Sequence, residues 1–161
     1  MSSGITLPER EVLRASLAEH GWARAAEAAP AAVCDALLAA ADVADWTGLA
    51  GEGFALDTAP LHAPDLLQSL GGKDLRLIRH GAGQFGLPLA DLGPTGFILD
   101  LGPDWRSEYG GLLMFEAGDR LRGWRPEKGT LTLFDPSRPV LLSLVTAAAP
   151  APRLSVLGRL T

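Results

Sequence analysis

From Leu75 onward the chain is a succession of short apolar runs, each too short for a helix and most of them separated by Gly, Pro, Asp or Ser. Leu75–His80, Gln84–Leu89, Gly96–Leu101, Gly111–Phe115, Arg120–Trp124, Thr130–Phe134, Val140–Thr146 and Arg153–Leu160 all have strand length, and their Val, Ile, Leu, Thr and Phe content suits a pleated, half-buried surface. Short strands at this spacing, with turn residues between them, specify a β-sandwich or jelly-roll.

The first seventy residues read differently. Pro8 followed by Glu9, Arg10 and Glu11 has the signature of a helix start, and Val12, Leu13 and Leu17 supply an apolar stripe as far as Glu19. His20-Gly21 ends it. Residues 22–29 are alanine-rich and helix-permissive, and Pro30 opens a second helix with Val33, Leu37, Ala40 and Ala44 on one face, running to about Trp46. Gly48, Gly51 and Gly53 interrupt the pattern from Thr47 to Pro60. Pro64-Asp65 opens a third short helix, Leu66–Leu70, closed by Gly71-Gly72. The expected architecture is therefore α+β in one domain, residues 1–161. A helical N-terminal layer (8–72) packs on a jelly-roll of about eight strands (73–161), since a helical layer of this kind cannot build a core alone.

The charge balance excludes several function classes. A net charge of −5 leaves no basic footprint for nucleic acid. The single cysteine, Cys34, permits neither an internal disulfide nor a thiolate cluster and suits a reducing compartment. The opening MSSGITLPEREVL lacks a basic start and an apolar core, and no run approaches the roughly 20 apolar residues of a membrane span. A cytoplasmic protein without membrane or nucleic-acid partners is expected. Neither a phosphate loop nor a G-x-S-x-G nucleophile elbow occurs.

Three stretches combine into a larger pattern. Gly83, Phe85 and Asp91 lie in GQFGLPLAD; Trp105, Gly110, Gly111, Leu113 and Phe115 in WRSEYGGLLMF; Pro126, Gly129, Leu131, Leu133 and Phe134 in the segment that follows; and Arg153 and Ser155 near the end. In order and spacing they resemble the core of the iron(II)/2-oxoglutarate dioxygenases, in particular the short prolyl-hydroxylase-like branch. The resemblance covers residues 75–160. It implies a double-stranded β-helix, a metal site of two histidines and one carboxylate, and a basic residue on the last core strand that holds the cosubstrate's far carboxylate.

Both implied histidines are missing. Leu89 stands where the first would be, with Asp91 as the carboxylate of the H-x-D pair, and Pro139-Val140-Leu141-Leu142 replaces the region of the second, which is placed at Val140. Leucine and valine have no lone pair to donate, and one carboxylate alone does not hold iron(II). No catalytic residue and no metal or other cofactor is therefore expected. Iron(II) and 2-oxoglutarate belong to the alternative, an active oxygenase with an atypical site.

Arg153 matches the cosubstrate-binding position, with Ser155 on the same strand face. An arginine there either ends a strand in solvent or points inward. If inward, it needs an acid such as Asp91, or a bound small carboxylate, because an unpaired buried charge is costly. His80, where the family often has a tyrosine against the cosubstrate, is either a core histidine with ordinary hydrogen bonds or a cavity residue. Asp91 is likewise open between a turn residue and a metal-site residue. His20 and His62 read as surface or cap residues, and Trp105 and Trp124 as core or rim packing. The expected role is a non-catalytic binding or partner subunit, its partner a protein or a small carboxylate, with prolyl or similar hydroxylation as the alternative.

Overall fold

The computed structural model describes residues 10–61 and 71–160. The helix expected at 66–70, and His62, lie outside the described residues.

Two α-helices, one 3-10 turn (Ser107–Tyr109) and ten strands make up the described chain: α1 (Arg10–His20), β1 (Trp22–Ala25), α2 (Ala31–Asp42), β2 (Thr47–Gly51), β3 (Phe54–Pro60), β4 (Gly72–His80), β5 (Gly96–Gly102), β6 (Leu113–Ala117), β7 (Arg120–Trp124), β8 (Leu131–Phe134), β9 (Val140–Leu142) and β10 (Arg153–Leu160). A seven-stranded major sheet has the order β1-β8-β5-β10-β4-β3-β2, and a three-stranded minor sheet the order β7-β6-β9. Every strand pair is antiparallel. This is the α+β jelly-roll expected from the strand spacing, a double-stranded β-helix with helices on one outer face. None of the described helices is long and apolar enough to cross a membrane.

Alternation along the strands divides the core in two. Phe97, Leu99 and Leu101 of β5, Leu131 and Leu133 of β8 and Val156 of β10 face the helices and meet Leu13, Val33, Cys34 and Leu37. Ile98, Phe134, Ile78 and Leu157 face the other way and pack against Leu113, Phe115 and Leu142 of the minor sheet. β5 is buried along its whole length because it is covered on both faces.

Three departures from the sequence reading bear on the site. Residues 22–25 form an edge strand and not a helix-permissive segment: Ala23 and Ala25 are buried against the helical layer, while Trp22 and Arg24 face the other side, in register with β8. Residues 47–60, read as an interrupted stretch, form a hairpin in which Thr47 pairs with Thr58 and Gly51 with Phe54. Long-range pairing overrides local propensity in both places.

The third departure is at Gln84–Leu89, which is extended but not a regular strand. Phe85 forms an isolated bridge with Ala55. Gly83 N–H donates to Val145 O at 2.8 Å, Gly86 N–H to Leu142 O at 2.8 Å, and Val145 N–H to Gln84 O at 2.9 Å, so the segment lies beside the minor sheet as a loosened fourth row. Positive φ at Gly83 (84°) and Gly86 (77°) breaks the pleat, and Pro88 has no N–H to give to a ladder. A Cβ on Gly86 would stand 2.0 Å from Gly53 O, so the close crossing over the β2–β3 turn requires glycine.

Candidate functional site

Four polar side chains converge between the two sheets: His80 at the end of β4, Asp100 on β5, and Arg153 and Ser155 on β10. All are at most 1% exposed. Arg153 is directly opposite His80 in the β4–β10 register. The alternation that puts Ile78, Ile98 and Leu157 into the inter-sheet core puts these four residues there as well.

Arg153 points inward. Its Nη2 donates to Asp100 Oδ1 at 2.9 Å and its Nη1 to Ser155 Oγ, while Nε has no acceptor. A Cβ placed on Gly111 would lie 3.2 Å from Arg153 Cδ, so Gly111 closes against the arginine stem. Trp105 anchors this corner by donating Nε1–H to Gly110 O at 2.8 Å. The Gly110-Gly111 pair thus serves the close approach, with φ of 70° and 60°.

The acid that neutralises Arg153 is Asp100. The sequence reading offered Asp91 for that role, and this is a correction. Asp91 is exposed on a turn with φ 66°. Asp100 was overlooked because it sits inside the run GFILDLG, which reads as plain core. A lone acid in an otherwise apolar strand was the available signal. Asp100 Oδ2 also accepts from Glu127 N–H at 3.3 Å. The Asp100 main chain bonds to the same loop, its N–H to Thr130 O at 3.0 Å and its O from Gly129 N–H at 2.8 Å. Burial pushes the Asp100 carboxyl up and the Arg153 guanidinium down, and the attraction between the pair opposes both shifts.

His80 donates Nε2–H to Gly86 O at 2.8 Å, which leaves the Nδ1 lone pair without a donor. Burial, reinforced by the neighbouring Arg153 charge, lowers its pKa to about 4, so the ring is neutral near pH 7. Leu89 and Val140 are half-buried and pack against the inter-sheet cluster, Val140 in register with Phe115. His20 ends α1, with its ring 5.8 Å from that of Trp22.

No protein-family model matches the chain, and no curated protein matches it. Solved structures do. A prolyl-4-hydroxylase from Pseudomonas putida superposes with a TM-score of 0.68 at 19% identity, over 93% of this chain and 98% of that one. A 2OG-Fe(II) oxygenase-family oxidoreductase from Burkholderia pseudomallei gives 0.71 at 13%, over 98% and 95%. A prolyl hydroxylase from Trichoplax adhaerens, in complex with a hypoxia inducible factor peptide fragment, gives 0.70 at 14%, over 92% and 87%. The fold is that of the iron(II)/2-oxoglutarate oxygenases.

An oxygenase fold implies iron, so the donor set has to be weighed. At the positions the resemblance assigns to metal ligands, Leu89 and Val140 have no lone pair and Asp91 is exposed on its turn. Among the described residues, no three His, Cys, Asp or Glu side chains come together so as to hold a metal ion. These residues do not fit an iron(II) centre. The arginine that the resemblance assigns to the cosubstrate is already paired with a carboxylate from within the chain. What the oxygenase fold presents here is a buried polar cluster in which Arg153 is paired with Asp100.

Proposed function

We propose that this chain is a non-catalytic member of the 2-oxoglutarate/iron(II) oxygenase fold that acts as a binding or partner subunit and uses no cofactor. The observation that carries this reading is the Arg153–Asp100 pair at 2.9 Å, with side chains 0% and 2% exposed. A cosubstrate carboxylate entering there would have to displace a buried carboxylate already bonded to the same guanidinium. That exchange gains no charge compensation and leaves Asp100 unpaired. The apolar side chains at 89 and 140 support the same reading, because affinity for a divalent ion is built from several ligands together.

The second reading is an active oxygenase that hydroxylates a prolyl or similar side chain through an atypical metal site. It draws on the names of the structural neighbours and on His80, whose Nδ1 lone pair is buried and unpaired. Two measurements separate the readings: titration of the purified protein with iron(II), and iron-dependent release of succinate from 2-oxoglutarate. The proposal expects neither saturable micromolar binding nor turnover. Turnover by the natural protein, abolished by His80→Ala, would overturn it.

A further inference from the structure

At the far edge of the major sheet, β1 lies across from β7, the edge of the minor sheet. Between them runs a groove of about 340 Å³ lined by Trp22, Arg24, Arg122, Trp124, Glu127 and Thr130, among others. The Trp124 ring carries two guanidiniums, Arg24 at 4.6 Å and Arg122 at 4.5 Å from its centroid. Arg122 also lies 5.7 Å from the Trp22 centroid, and the two indoles meet edge-on at 5.7 Å.

Asp100 and Glu127 act on Arg24 only at longer range. Among the described residues, neither Arg24 nor Arg122 has a carboxylate within ion-pair distance. The one acid in the lining, Glu127, is instead 3.7 Å from Arg125. Arg24 has Thr132 Oγ1 at 3.3 Å, and Arg122, which is exposed, has only the indole faces. Donors are left over. Trp46 and Trp105 give their indole N–H groups to Ala41 O and Gly110 O, but Trp22 Nε1 and Trp124 Nε1 are buried without an acceptor. Buried donors are ordinarily paired, so two unpaired ones on the indoles that carry two guanidiniums without ion-pair partners mark a site that lacks its acceptor.

We propose that this groove is a carboxylate-binding site that takes an acidic, extended segment of a partner protein. A carboxylate offers two planar acceptor atoms that match a guanidinium fork, and the exposed Arg122 can turn from the indoles onto it. The groove is open and runs between two edge strands, each paired on one side only, which suits an extended chain better than a compact small molecule. This deepens the partner-subunit reading but has its own test: the groove adjoins the Arg153 cluster through Glu127 and Thr130, which bond to Asp100, yet binding in it is read without any assay of turnover.

The test uses ¹⁵N-labelled full-length protein, in which four tryptophans give four indole N–H signals. A short glutamate-rich peptide, glutarate and a lysine-rich peptide are titrated separately. The glutamate-rich peptide is expected to move the Trp22 and Trp124 signals and to leave those of Trp46 and Trp105 in place. Arg122→Glu, at an exposed position, should weaken the response at least about tenfold, the worth of a charge-assisted hydrogen bond, and Arg24→Lys should weaken it by less. Movement of all four signals, no movement at all, or an unchanged response in Arg122→Glu would overturn the site. An equal response to glutarate would overturn the peptide segment in favour of a free carboxylate, and a response to the lysine-rich peptide would overturn the charge argument.

Discussion

Asp100→Asn tests the central pair most directly. The substitution keeps the size of the side chain and an oxygen able to accept from Glu127 N–H, but removes the charge opposite Arg153. Two unit charges about 4 Å apart at an effective dielectric of about 20 attract by about 4 kcal/mol. That agrees with the roughly 3–5 kcal/mol lost when one member of a buried pair is removed and the other stays. Both groups are buried and Arg153 Nε already lacks an acceptor, so little can relax to offset the loss. Against a total stability of about 5–15 kcal/mol the cost is large. With a urea dependence of about 2 kcal/mol per molar, the unfolding midpoint should fall by about 2 M. Replacing both partners, with Asp100→Leu and Arg153→Met together, should recover most of it, because the desolvation cost of the pair disappears with the pair. Asp100→Ala should open a space that acetate fills, and at ten times its dissociation constant acetate would restore about 1.4 kcal/mol that the natural protein does not gain. A midpoint for Asp100→Asn within about 0.5 M of the natural protein would refute the claim that this carboxylate neutralises Arg153.

Other outcomes follow from the same site. The His80 pKa is lowered to about 4 in the folded state, against about 6.5 unfolded, so the unfolded chain binds the extra proton first and stability falls as pH drops from about 6.5 to about 4, by roughly 3 kcal/mol in all. Urea midpoints measured across that range should show a flatter dependence in His80→Gln, and an equal slope in both proteins would contradict the buried neutral ring. Gly110→Ala should cost at least about 2 kcal/mol, since φ is 70° and the new Cβ would stand 2.0 Å from Leu144 O; denaturant unfolding measures it. Leu89→His with Val140→His should lower stability by roughly 1–3 kcal/mol and still bind iron(II) weakly, because Asp91 remains on its exposed turn. Tight, saturable iron(II) binding in a titration of that double variant would show that Asp91 joins the pair.

The strands whose signals are local were legible in the sequence. β7 and β10 fall on the expected residues, 120–124 and 153–160, because Gly118-Asp119 and Pro126 bracket the first and Pro150-Ala151-Pro152 leads into the second. β1 was not legible: Trp-Ala-Arg-Ala carries helix-permissive alanines, and only pairing with β8, more than a hundred residues on, makes it a strand. The inward arginine was half legible. Its need for an acid follows from elementary electrostatics, but the choice of Asp100 over Asp91 depends on which residues the β5–β10 register brings together, 53 positions apart. The groove at Trp22 and Trp124 was invisible for the same reason, since each indole alone reads as packing.

The order of the major sheet has one more consequence, for biogenesis. β10 follows the other nine strands in the chain, yet it lies in the middle, between β5 and β4. Until residues 153–160 are available, the earlier strands can form only two separate fragments, β1-β8-β5 and β4-β3-β2, each with a raw inner edge. Non-local closure of this kind is slow, and open edges recruit foreign strands. A ribosome carrying this chain therefore exposes one sticky half-sheet once residue 80 has been made and a second once residue 134 has been made, and a stall or nonsense codon shortly before residue 153 would yield an aggregating product rather than a slightly shortened one.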